Sequence, residues 1–462
     1  MQAKLNLIAE KAKRDKGMKF TALIHHINAD NLVECFSELK KDKASGIDGV
    51  TVEEYGSNLE WNVFDLVERL KSKNYHPQPV RRVYIPKAGS KDEKRGLGIP
   101  TVEDKLVQLM LKKILEAIFE PNFAEFSHGF RPNRNCHTAI KELDEEVMKR
   151  PINFIVEVDI RKFFDTVKHY WLLRCLEERI SDPNLLGLIR KILKAGVMEE
   201  GQYHASELGT PQGGIISPLL ANIYLHYVLD IWFERIFKLE TKGYTQMIRY
   251  ADDFVVCCES ENDAKEFLKS LEERFAKFGL SLSVEKTKII KFGRHAWKLS
   301  QKSGNKPDTF NFLGFAHYCA KSRGGYFVVG HKTAKENLNR KLKETQRWIK
   351  DVRGILPLKA WWPTLKAKLR GHYNYFGVSG NMRCLNQFYY KVIKMAFKWI
   401  NRRSQRKSMT WEMFTQYLQW NPLPMPRIYH TLYAMKANDA NASLGSRVWE
   451  NYKHGSRGVA LQ

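Results

Sequence analysis

The feature that most restricts how this chain can fold is a short acidic segment, Tyr250-Ala251-Asp252-Asp253. Apolar residues 247–248 precede it and apolar residues 254–258 follow it. This pattern predicts a β-hairpin with the acids at its tight turn, because buried strands can flank an exposed turn. Acids in such a turn can reach a bound metal ion. A polar turn between two ordinary strands is the alternative interpretation.

A second acid upstream strengthens the metal hypothesis. Residues 156–160 form another mostly apolar run that contains Asp159. Two strands that each bring a carboxylate to one point are typical of a two-metal site for phosphoryl or nucleotidyl transfer. Mg²⁺ prefers oxygen ligands, usually carboxylates and substrate phosphates. We therefore expect Asp159 and Asp252 to bridge two Mg²⁺ ions, the backbone carbonyl of Ile160 to add a ligand, and Asp253 to play a weaker part nearby.

The charge of the chain predicts a polyanionic partner. Its 462 residues carry a formal net charge of +25, which favours salt-dependent binding to nucleic acid. A membrane surface is the alternative partner, but the chain has no apolar run of about 18 residues. No apolar segment of the signal-peptide type follows the N-terminal residues 1–6. We therefore expect a cytoplasmic protein without a membrane association.

Positive charge is concentrated in residues 331–410, which hold 20 Lys and Arg residues against 3 Asp and Glu residues. Helical spacing there places Lys391, Lys394, Lys398 and Arg402 on one face, roughly opposite Val392, Ala396 and Trp399. A helix with an apolar packing face and a basic face suits a domain that grips a duplex. The candidate RNA-binding residues are Arg370, Lys394, Lys398, Arg402, Arg403, Arg406 and Lys407, and the alternative for the basic run 402–407 is a solvated loop.

Several motifs follow one another in a recognisable order. They are Lys43–Val50, Val83–Lys87, Arg95–Pro100, Ser127–Arg134, Gly209–Gly214 continuing to Ser217–Asn222, Tyr250–Asp253, Glu285–Lys288 and Phe312–Phe315. In this order the chain resembles the reverse transcriptases encoded by bacterial group II introns, which are also called maturases. The resemblance covers almost the whole chain and includes Arg370–Phe376, which is similar to the maturase-domain signature. Ser283 stands where related sequences usually carry Asn, which leaves the local turn geometry open.

The resemblance implies an α+β right-hand polymerase, with fingers and a palm built on an antiparallel sheet, followed by an all-α thumb or maturase domain. We expect a helical N-terminal extension over residues 1–80 and fingers and palm over 81–325. The thumb, or domain X, is expected over 326–420, with Gly324-Gly325 as the boundary. Residues 421–462 are expected to be a C-terminal tail, with a reduced DNA-binding segment as the alternative.

The resemblance also implies contacts to the incoming deoxynucleotide. Lys87 and Arg95 would bind its phosphates, Gln212 would lie beside its sugar, and Phe164 would exclude a 2′-hydroxyl. Lys286 would stand near the leaving pyrophosphate as a general acid. Local sequence leaves other interpretations open: a charged hairpin around Lys87, a glycine turn around Gln212, a core phenylalanine, and a solvated helix-end lysine. The aromatics of residues 370–376 could stack on RNA bases or belong to the core.

The implied function is RNA-directed DNA synthesis together with splicing of the chain's own intron RNA and its copying during retrohoming. Implied partners are group II intron RNA, an RNA template with a DNA primer, target DNA and dNTPs, in the bacterial cytoplasm, with an oligomeric state that the sequence leaves open. The seven cysteines form no CxxC pair, so they support neither a disulfide framework nor a structural zinc site, and we expect no HNH endonuclease.

Two functional alternatives remain at this stage. The chain could be a domesticated relative in host repair, phage defence or CRISPR spacer acquisition. It could also be chiefly a splicing factor with vestigial polymerase activity, although Asp159, Asp252 and Asp253 argue against that. A retron enzyme fits poorly with the long N-terminal extension.

Overall fold

The acidic hairpin lies at the centre of a four-stranded antiparallel sheet with the order β6-β7-β3-β8. The structure, a computed structural model, describes residues 1–86, 94–210, 213–322, 324–402 and 409–432. The strands of this sheet are β3 (Phe154–Asp159), β6 (Thr245–Tyr250), β7 (Asp253–Cys258) and β8 (Lys288–Lys291). Strand β7 pairs with both β3 and β6, so the strand that ends at Asp159 lies beside the acidic hairpin.

The structure contains two smaller sheets besides the central one. The first has the order β2-β1-β4-β5 and contains β1 (Val80–Pro86), β2 (Lys94–Ile99), β4 (Val197–Glu199) and β5 (Gln202–His204). The second has the order β11-β10-β9 and contains β9 (Phe310–Phe312), β10 (Phe315–Lys321) and β11 (Phe327–Thr333). Only the pairing of β1 with β4 is parallel among these named strands.

Helices surround the sheets and form the C-terminal part of the described chain. They are α1 (Gln2–Arg14), α2 (Ala29–Ser37), α3 (Val52–Gly56), α4 (Leu59–Lys71), α5 (Val102–Phe119), α6 (Cys136–Lys149), α7 (Phe163–Thr166), α8 (His169–Glu177), α9 (Pro183–Leu193), α10 (Ser217–Leu225), α11 (Lys238–Glu240), α12 (Glu261–Phe278), α13 (Arg294–Ser303), α14 (Lys335–Val352), α15 (Leu358–Phe376), α16 (Met382–Ile400) and α17 (Trp411–Trp420). Short 3₁₀ turns span Ile24–His26 and Glu120–Asn122. None of the described helices is both long and apolar enough to cross a membrane.

Local sequence explains where several helices begin. The side chain of Asn28 accepts a hydrogen bond from the amide of Asn31 at 3.1 Å and so caps the start of α2. Asn135 and Thr138 form a reciprocal capping box at the start of α6. Helix α12 ends at Gly279 in the left-handed conformation (φ +76°), which glycine adopts readily.

The helical segment that begins at Ser217 is irregular. Two π-helical turns, His226–Asp230 and Phe233–Phe237, separate α10 from α11. A π turn inserts an extra residue into the helix and is often found at functional sites. Here the first of them ends at Asp230, whose side chain takes part in the site described below.

The apolar cores contain residues from more than one of the predicted domains. One core contains the buried side chains of α1, α2 and α4 together with those of α5, α10 and α12, so the N-terminal helices share the core of the central sheet. A second core lies among α14, α15 and α16 and includes Phe315 of β10. A third lies between the central sheet and β9–β11.

The predicted boundary at Gly324-Gly325 falls inside a β-hairpin. Strands β10 and β11 pair along their whole length on either side of it, from Phe315 opposite Thr333 to Lys321 opposite Phe327. The first helix that follows begins at Lys335. The two glycines therefore belong to a turn within one sheet, since a glycine pair marks a turn in a hairpin as readily as a linker.

Candidate active site

The strands bring the three predicted catalytic acids to one end of the central sheet. Asp159, the last residue of β3, lies directly opposite Asp253, the first residue of β7. Asp252 lies in the turn that joins β6 to β7. Its neighbour Ala251 has a positive φ of +57°, a conformation that is costly outside glycine and that two-residue hairpin turns require. The predicted hairpin and its acids are thus arranged around one point.

Lys286 joins this group of acids. Its Nζ lies 3.2 Å from Oδ2 of Asp159, and the two side chains are 60% and 43% exposed. The loop before β8 is held in place by backbone hydrogen bonds: the amide of Ser283 donates to the carbonyl of Asp159 at 2.8 Å, and the amide of Lys286 donates to the carbonyl of Ser283 at 3.1 Å. Serine at position 283 therefore supports an ordered turn that places the ammonium beside the acids.

Burial and neighbouring charges raise the pKa values of Asp252 and Asp253. Desolvation by the surrounding protein, together with the charges of Asp252, Glu157 and Asp159, raises the pKa of Asp253 to about 7, although its side chain retains access to solvent. Burial also raises the pKa of Asp252, and the guanidinium groups of Arg95 and Arg249 oppose that shift. Clustered acids with raised pKa values are characteristic of sites that bind cations. The field of Arg95 at Asp252 also indicates that β2 faces this site.

A buried ion pair orients the acidic turn between β6 and β7. Arg249 of β6 is fully buried, and its Nε and Nη2 donate to the two carboxylate oxygens of Asp230, with 2.7 Å between Nε and Oδ1. Its Nη1 donates to the carbonyl oxygen of Ala251 at 3.0 Å and to Oδ1 of Asn222 at 3.2 Å. Because bidentate pairing fixes the plane of a guanidinium, this arrangement orients the turn that carries Asp252.

The segment Ser127–Arg134 packs against the same turn. The amide of His128 donates to the carbonyl of Arg249 at 2.8 Å, and Nδ2 of Asn222 donates to the carbonyl of Gly129 at 2.6 Å. A Cβ atom at Gly129 would stand 2.3 Å from the backbone nitrogen of Ala251. Glycine is therefore required at position 129 by the close approach of two backbones.

A cavity of about 640 Å³ lies beside Phe164. Phe164 is half-buried and lines it, whereas Phe163 is buried in the core. The amide of Thr210 donates to the carbonyl of Phe164 at 2.8 Å, and the carbonyl of Gly209 accepts a hydrogen bond from Nε2 of His169 at 2.7 Å. The start of the Gly209–Gly214 segment is thus fixed against the backbone of Phe164.

Comparison with known proteins decides the family. The family model described as reverse transcriptase (RNA-dependent DNA polymerase) matches residues 85–317. The chain belongs to the reverse transcriptase family. The match implies the right-hand polymerase fold for this chain, consistent with its antiparallel sheets and C-terminal helices.

Individual relatives show to which group of reverse transcriptases the chain belongs. The chain is 30% identical to the group II intron-encoded protein LtrA of Lactococcus lactis subsp. cremoris over 89% of this chain and 79% of that protein. It is 28% identical to an uncharacterized 91 kDa protein in the cob intron of Schizosaccharomyces pombe, over 84% of this chain and 55% of that protein. Protein YkfC of Escherichia coli is 34% identical over 53% of this chain and 71% of its own length. Within the reverse transcriptases, the chain therefore belongs with the group II intron-encoded proteins.

The donor set at the acids of this reverse transcriptase fits a hard divalent cation. Asp159, Asp252 and Asp253 offer carboxylate oxygens, which Mg²⁺ prefers, and no imidazole or thiol adjoins them among the contacts of the described residues. Among the described residues, one ligand atom each from Asp144, His317 and His331 can be chosen so that all three lie within 4.8 Å of one another. The three acids do not meet this criterion. The acids would therefore have to draw closer on binding metal and substrate.

The basic face predicted for α16 has the expected exposure. Lys391, Lys394, Lys398 and Arg402 are exposed, while Val392 and Ala396 are buried. Trp399 is half-buried, and the side chains of Lys398 and Arg402 lie 5.8 and 5.6 Å from its ring centroid. Arg370 on α15 is also exposed. These side chains are available to a polyanion, and their role in binding RNA stays a prediction.

The aromatic residues of the segment 370–376 are mostly core residues. His372, Tyr373 and Phe376 are buried, and His372 stacks on Phe388 with 3.7 Å between ring centroids. The idea that this group stacks on RNA bases is wrong for these three, because their rings are used in packing α15 against α16. Tyr375, at 38% exposure, keeps part of its ring accessible.

Five residues proposed from the sequence lie outside the described residues, and the structure does not test them. They are Lys87, Gln212, Arg403, Arg406 and Lys407. Sequence reasoning also missed Arg249 and Asp230 as the support of the acidic turn. A signal was available: Arg249 stands between apolar residues on both sides in a strand, and Asp230 interrupts a long apolar helix, so each predicted a buried charge in need of a partner.

Proposed function

We propose that this protein is an RNA-directed DNA polymerase that also binds a group II intron RNA and promotes its splicing. The observation that carries the polymerase role is the placement of Asp159 opposite Asp253, with Asp252 in the adjoining turn. Membership of the group II intron-encoded proteins, one of which covers 89% of the chain, carries the maturase role. That relationship does not favour a domesticated role in repair or defence.

In the proposed reaction, a primer 3′-hydroxyl attacks the α-phosphorus of a dNTP. A new P–O bond forms, the bond to the β-phosphate oxygen breaks, the hydroxyl loses its proton and pyrophosphate leaves. Asp159 and Asp252 would hold two Mg²⁺ ions together with the carbonyl of Ile160. Bound Mg²⁺ would stabilise the charge on the attacking and leaving oxygens.

The chain's own cations would act on the phosphates. Lys286, held beside Asp159, would donate a proton to the leaving pyrophosphate. Arg95, whose charge acts on Asp252, would bind the triphosphate together with Lys87. Gln212 would lie beside the sugar. The roles of Lys286 and Arg95 rest on their interactions with the acids and on the family resemblance, and those of Lys87 and Gln212 rest on the resemblance alone.

The proposed domains follow from the sheets and helices. The sheet β2-β1-β4-β5 would form fingers, the central sheet with its covering helices a palm, and α14, α15 and α16 a thumb or maturase domain. The helices of residues 1–80 would form the N-terminal extension, and residues 421–462 a tail of undetermined role. We propose that the protein copies its intron RNA at a DNA target, within the cytoplasm of a bacterium.

Two assays test the proposal. Primer extension on an RNA template with dNTPs and Mg²⁺ should yield full-length DNA. Splicing of the cognate intron RNA at low Mg²⁺ should be accelerated by the protein. If wild-type protein accelerates splicing but does not extend the primer, only the RNA-binding role remains. If it does neither, the proposal is overturned.

Replacing Phe164 with alanine should admit ribonucleotides. Removing the ring opens space beside the sugar, so we expect the preference for dNTPs over rNTPs to fall by at least about tenfold, or about 1.4 kcal/mol. The measurement is kcat/KM for a single dNTP and its rNTP on the same primer. Tyr170→Ala removes an aromatic ring of 64% exposure that does not line the cavity, and it should leave the preference unchanged. An unaltered preference in Phe164→Ala would return that residue to a purely structural role.

Neutralising Lys394, Lys398 and Arg402 together, each as glutamine, should weaken RNA binding and its salt dependence. Three lost phosphate contacts should reduce the slope of log K against log salt by about 2–3. The control changes Lys265, Lys269 and Lys277 to glutamine, because these exposed lysines lie on α12 among several glutamates. Equal slopes for wild type and the α16 variant would mean that this face is only solvated.

A further inference from the structure

Three buried polar side chains meet outside the site of the catalytic acids. Asp144 lies on α6, His317 on β10 and His331 on β11, and all three are fully buried. No step of the proposed polymerase reaction uses them. Burying an imidazole or a carboxylate is unfavourable unless its polar atoms find partners. The cluster therefore calls for a physical explanation of its own.

The fold brings the three residues together by simple geometry. His317 and His331 are direct partners in the antiparallel register of β10 and β11, so their side chains project from the same face of the sheet. Helix α6 packs on β11, and Asp144 belongs to its buried stripe together with Ile140 and Val147. A carboxylate thus reaches the two imidazoles from a neighbouring layer.

The distances within the cluster suit one small cation. Nε2 of His331 lies 3.0 Å from Oδ1 of Asp144, and the rings of His317 and His331 are 5.0 Å apart at 83°. One donor atom from each residue can be chosen so that all three lie within 4.8 Å of one another. Donors around a tetrahedral Zn²⁺ ion are about 3.3 Å apart, given bonds of about 2.0–2.1 Å. Small rotations of the side chains would close the difference.

Some of the donor atoms are not used by hydrogen bonds in the described part of the chain. Neither ring nitrogen of His317 meets the distance and angle of a hydrogen bond, and the backbone of Phe312 gives it only a weaker polar contact. Oδ2 of Asp144 likewise has no hydrogen-bond partner there. The ring of His317 stacks on Phe310, with 4.8 Å between centroids and 8° between planes.

We propose that Asp144, His317 and His331 form a structural Zn²⁺ site that ties helix α6 to the β10–β11 hairpin. Two imidazoles and a carboxylate are a usual zinc donor set, whereas Mg²⁺ is bound mainly by oxygen. The second oxygen of Asp144 or a water molecule completes the tetrahedron. The site is distinct in residues and in donor chemistry from the proposed Mg²⁺ ligands.

The position of the site gives the ion a mechanical role. The hairpin contributes Phe315 to the core of the C-terminal helices and Val329 to the core beneath the central sheet. A Zn²⁺ ion bound by both the β10–β11 hairpin and α6 therefore holds these two cores in a fixed relative position. Burial of all three ligands implies that the metal enters during folding and exchanges slowly.

The test measures metal content and thermal stability of tag-free protein purified without chelators. We expect about one zinc per chain in the wild type and a Tm at least about 3 °C higher with Zn²⁺ than after chelation in Mg²⁺-free buffer. His317→Phe, which keeps an aromatic ring against Phe310, should lose both the zinc and the response of Tm. Asp144→Asn keeps the shape of the side chain and should also lose zinc.

The matched control is His372→Phe. His372 is another buried histidine stacked on a phenylalanine, but it lies outside the cluster, so the variant should keep one zinc per chain. Replacing Zn²⁺ with Co²⁺ should give the visible absorption bands of a tetrahedral site in wild type and His372→Phe only. Wild-type protein that holds no transition metal and whose Tm ignores added Zn²⁺ would overturn the proposal, as would full zinc content in His317→Phe.

Discussion

Asp252→Ala is expected to reduce RNA-templated DNA synthesis at least about 10³-fold, equivalent to about 4 kcal/mol of transition-state stabilisation. The substitution removes a carboxylate from the turn between β6 and β7 and leaves the apolar strands that bury the hairpin intact. RNA affinity should stay within a factor of about two, because the removed group is not part of the basic helices. Single-turnover primer extension and filter binding of the RNA measure the two quantities.

Asp65→Ala provides the control for this substitution. Asp65 is an exposed acid on α4 that pairs with Arg69, and removing it should leave extension unchanged. Extension by Asp252→Ala at more than about one thousandth of the wild-type rate would contradict the metal-ligand role. A parallel loss of RNA binding would instead indicate a general failure of folding.

Arg249→Met is expected to have the second largest effect, on both stability and catalysis. It leaves the buried carboxylate of Asp230 without its guanidinium partner, and breaking such a pair costs about 3–5 kcal/mol. It also removes the donor to the carbonyl of Ala251, which orients the turn. We expect a lower denaturation midpoint and, at a temperature where the variant is folded, a reduced kcat for primer extension.

A double variant separates the two effects. Arg249→Met with Asp230→Leu replaces the ion pair by apolar side chains and should recover most of the stability, since buried pairs can often be replaced in this way. Its kcat should stay low, because the carbonyl of Ala251 and the side chain of Asn222 still lack their donor. Recovery of wild-type kcat would show that Arg249 contributes only to stability.

Arg179→Met is the matched control for a buried arginine. Arg179 is also buried, but it donates to backbone carbonyls of Ala12, Asp15 and Met18, far from the acidic turn in sequence and on other elements. This substitution should lower stability and leave the kcat of the folded protein unchanged. A similar loss of kcat in both arginine variants would mean that the assay reports unfolding.

Local sequence was sufficient for the elements that carry the chemistry. Apolar runs predicted the strands that end at Asp159 and begin at Asp253, and the two acids between apolar runs predicted the tight turn that joins β6 to β7. The exposed cations of α16 and the buried positions of Val392 and Ala396 were also predicted correctly, because exposure along a helix follows its period. Trp399 was expected opposite the cations, but it lies against Lys398 and Arg402. Each of these features depends on residues a few positions apart.

Local sequence was misleading where the same pattern serves two structures. Gly324-Gly325 suggested a domain boundary and proved to be a hairpin turn, since glycine permits both. The aromatics of residues 372–376 left two alternatives open, RNA bases or the core, and three of them fill the core between α15 and α16. Ring type alone does not distinguish a core position from an exposed one.

The sequence by itself determined that two acid-bearing strands would build an oxygen-rich site and that a basic helical region would follow it. Only the tertiary structure decided which charges meet in the interior. It paired Arg249 with Asp230 across 19 positions and joined His331 to Asp144 across 187. Strand and helix periods are local properties of the chain, whereas a buried polar contact depends on how separate layers pack, and that packing is set by the apolar cores around it.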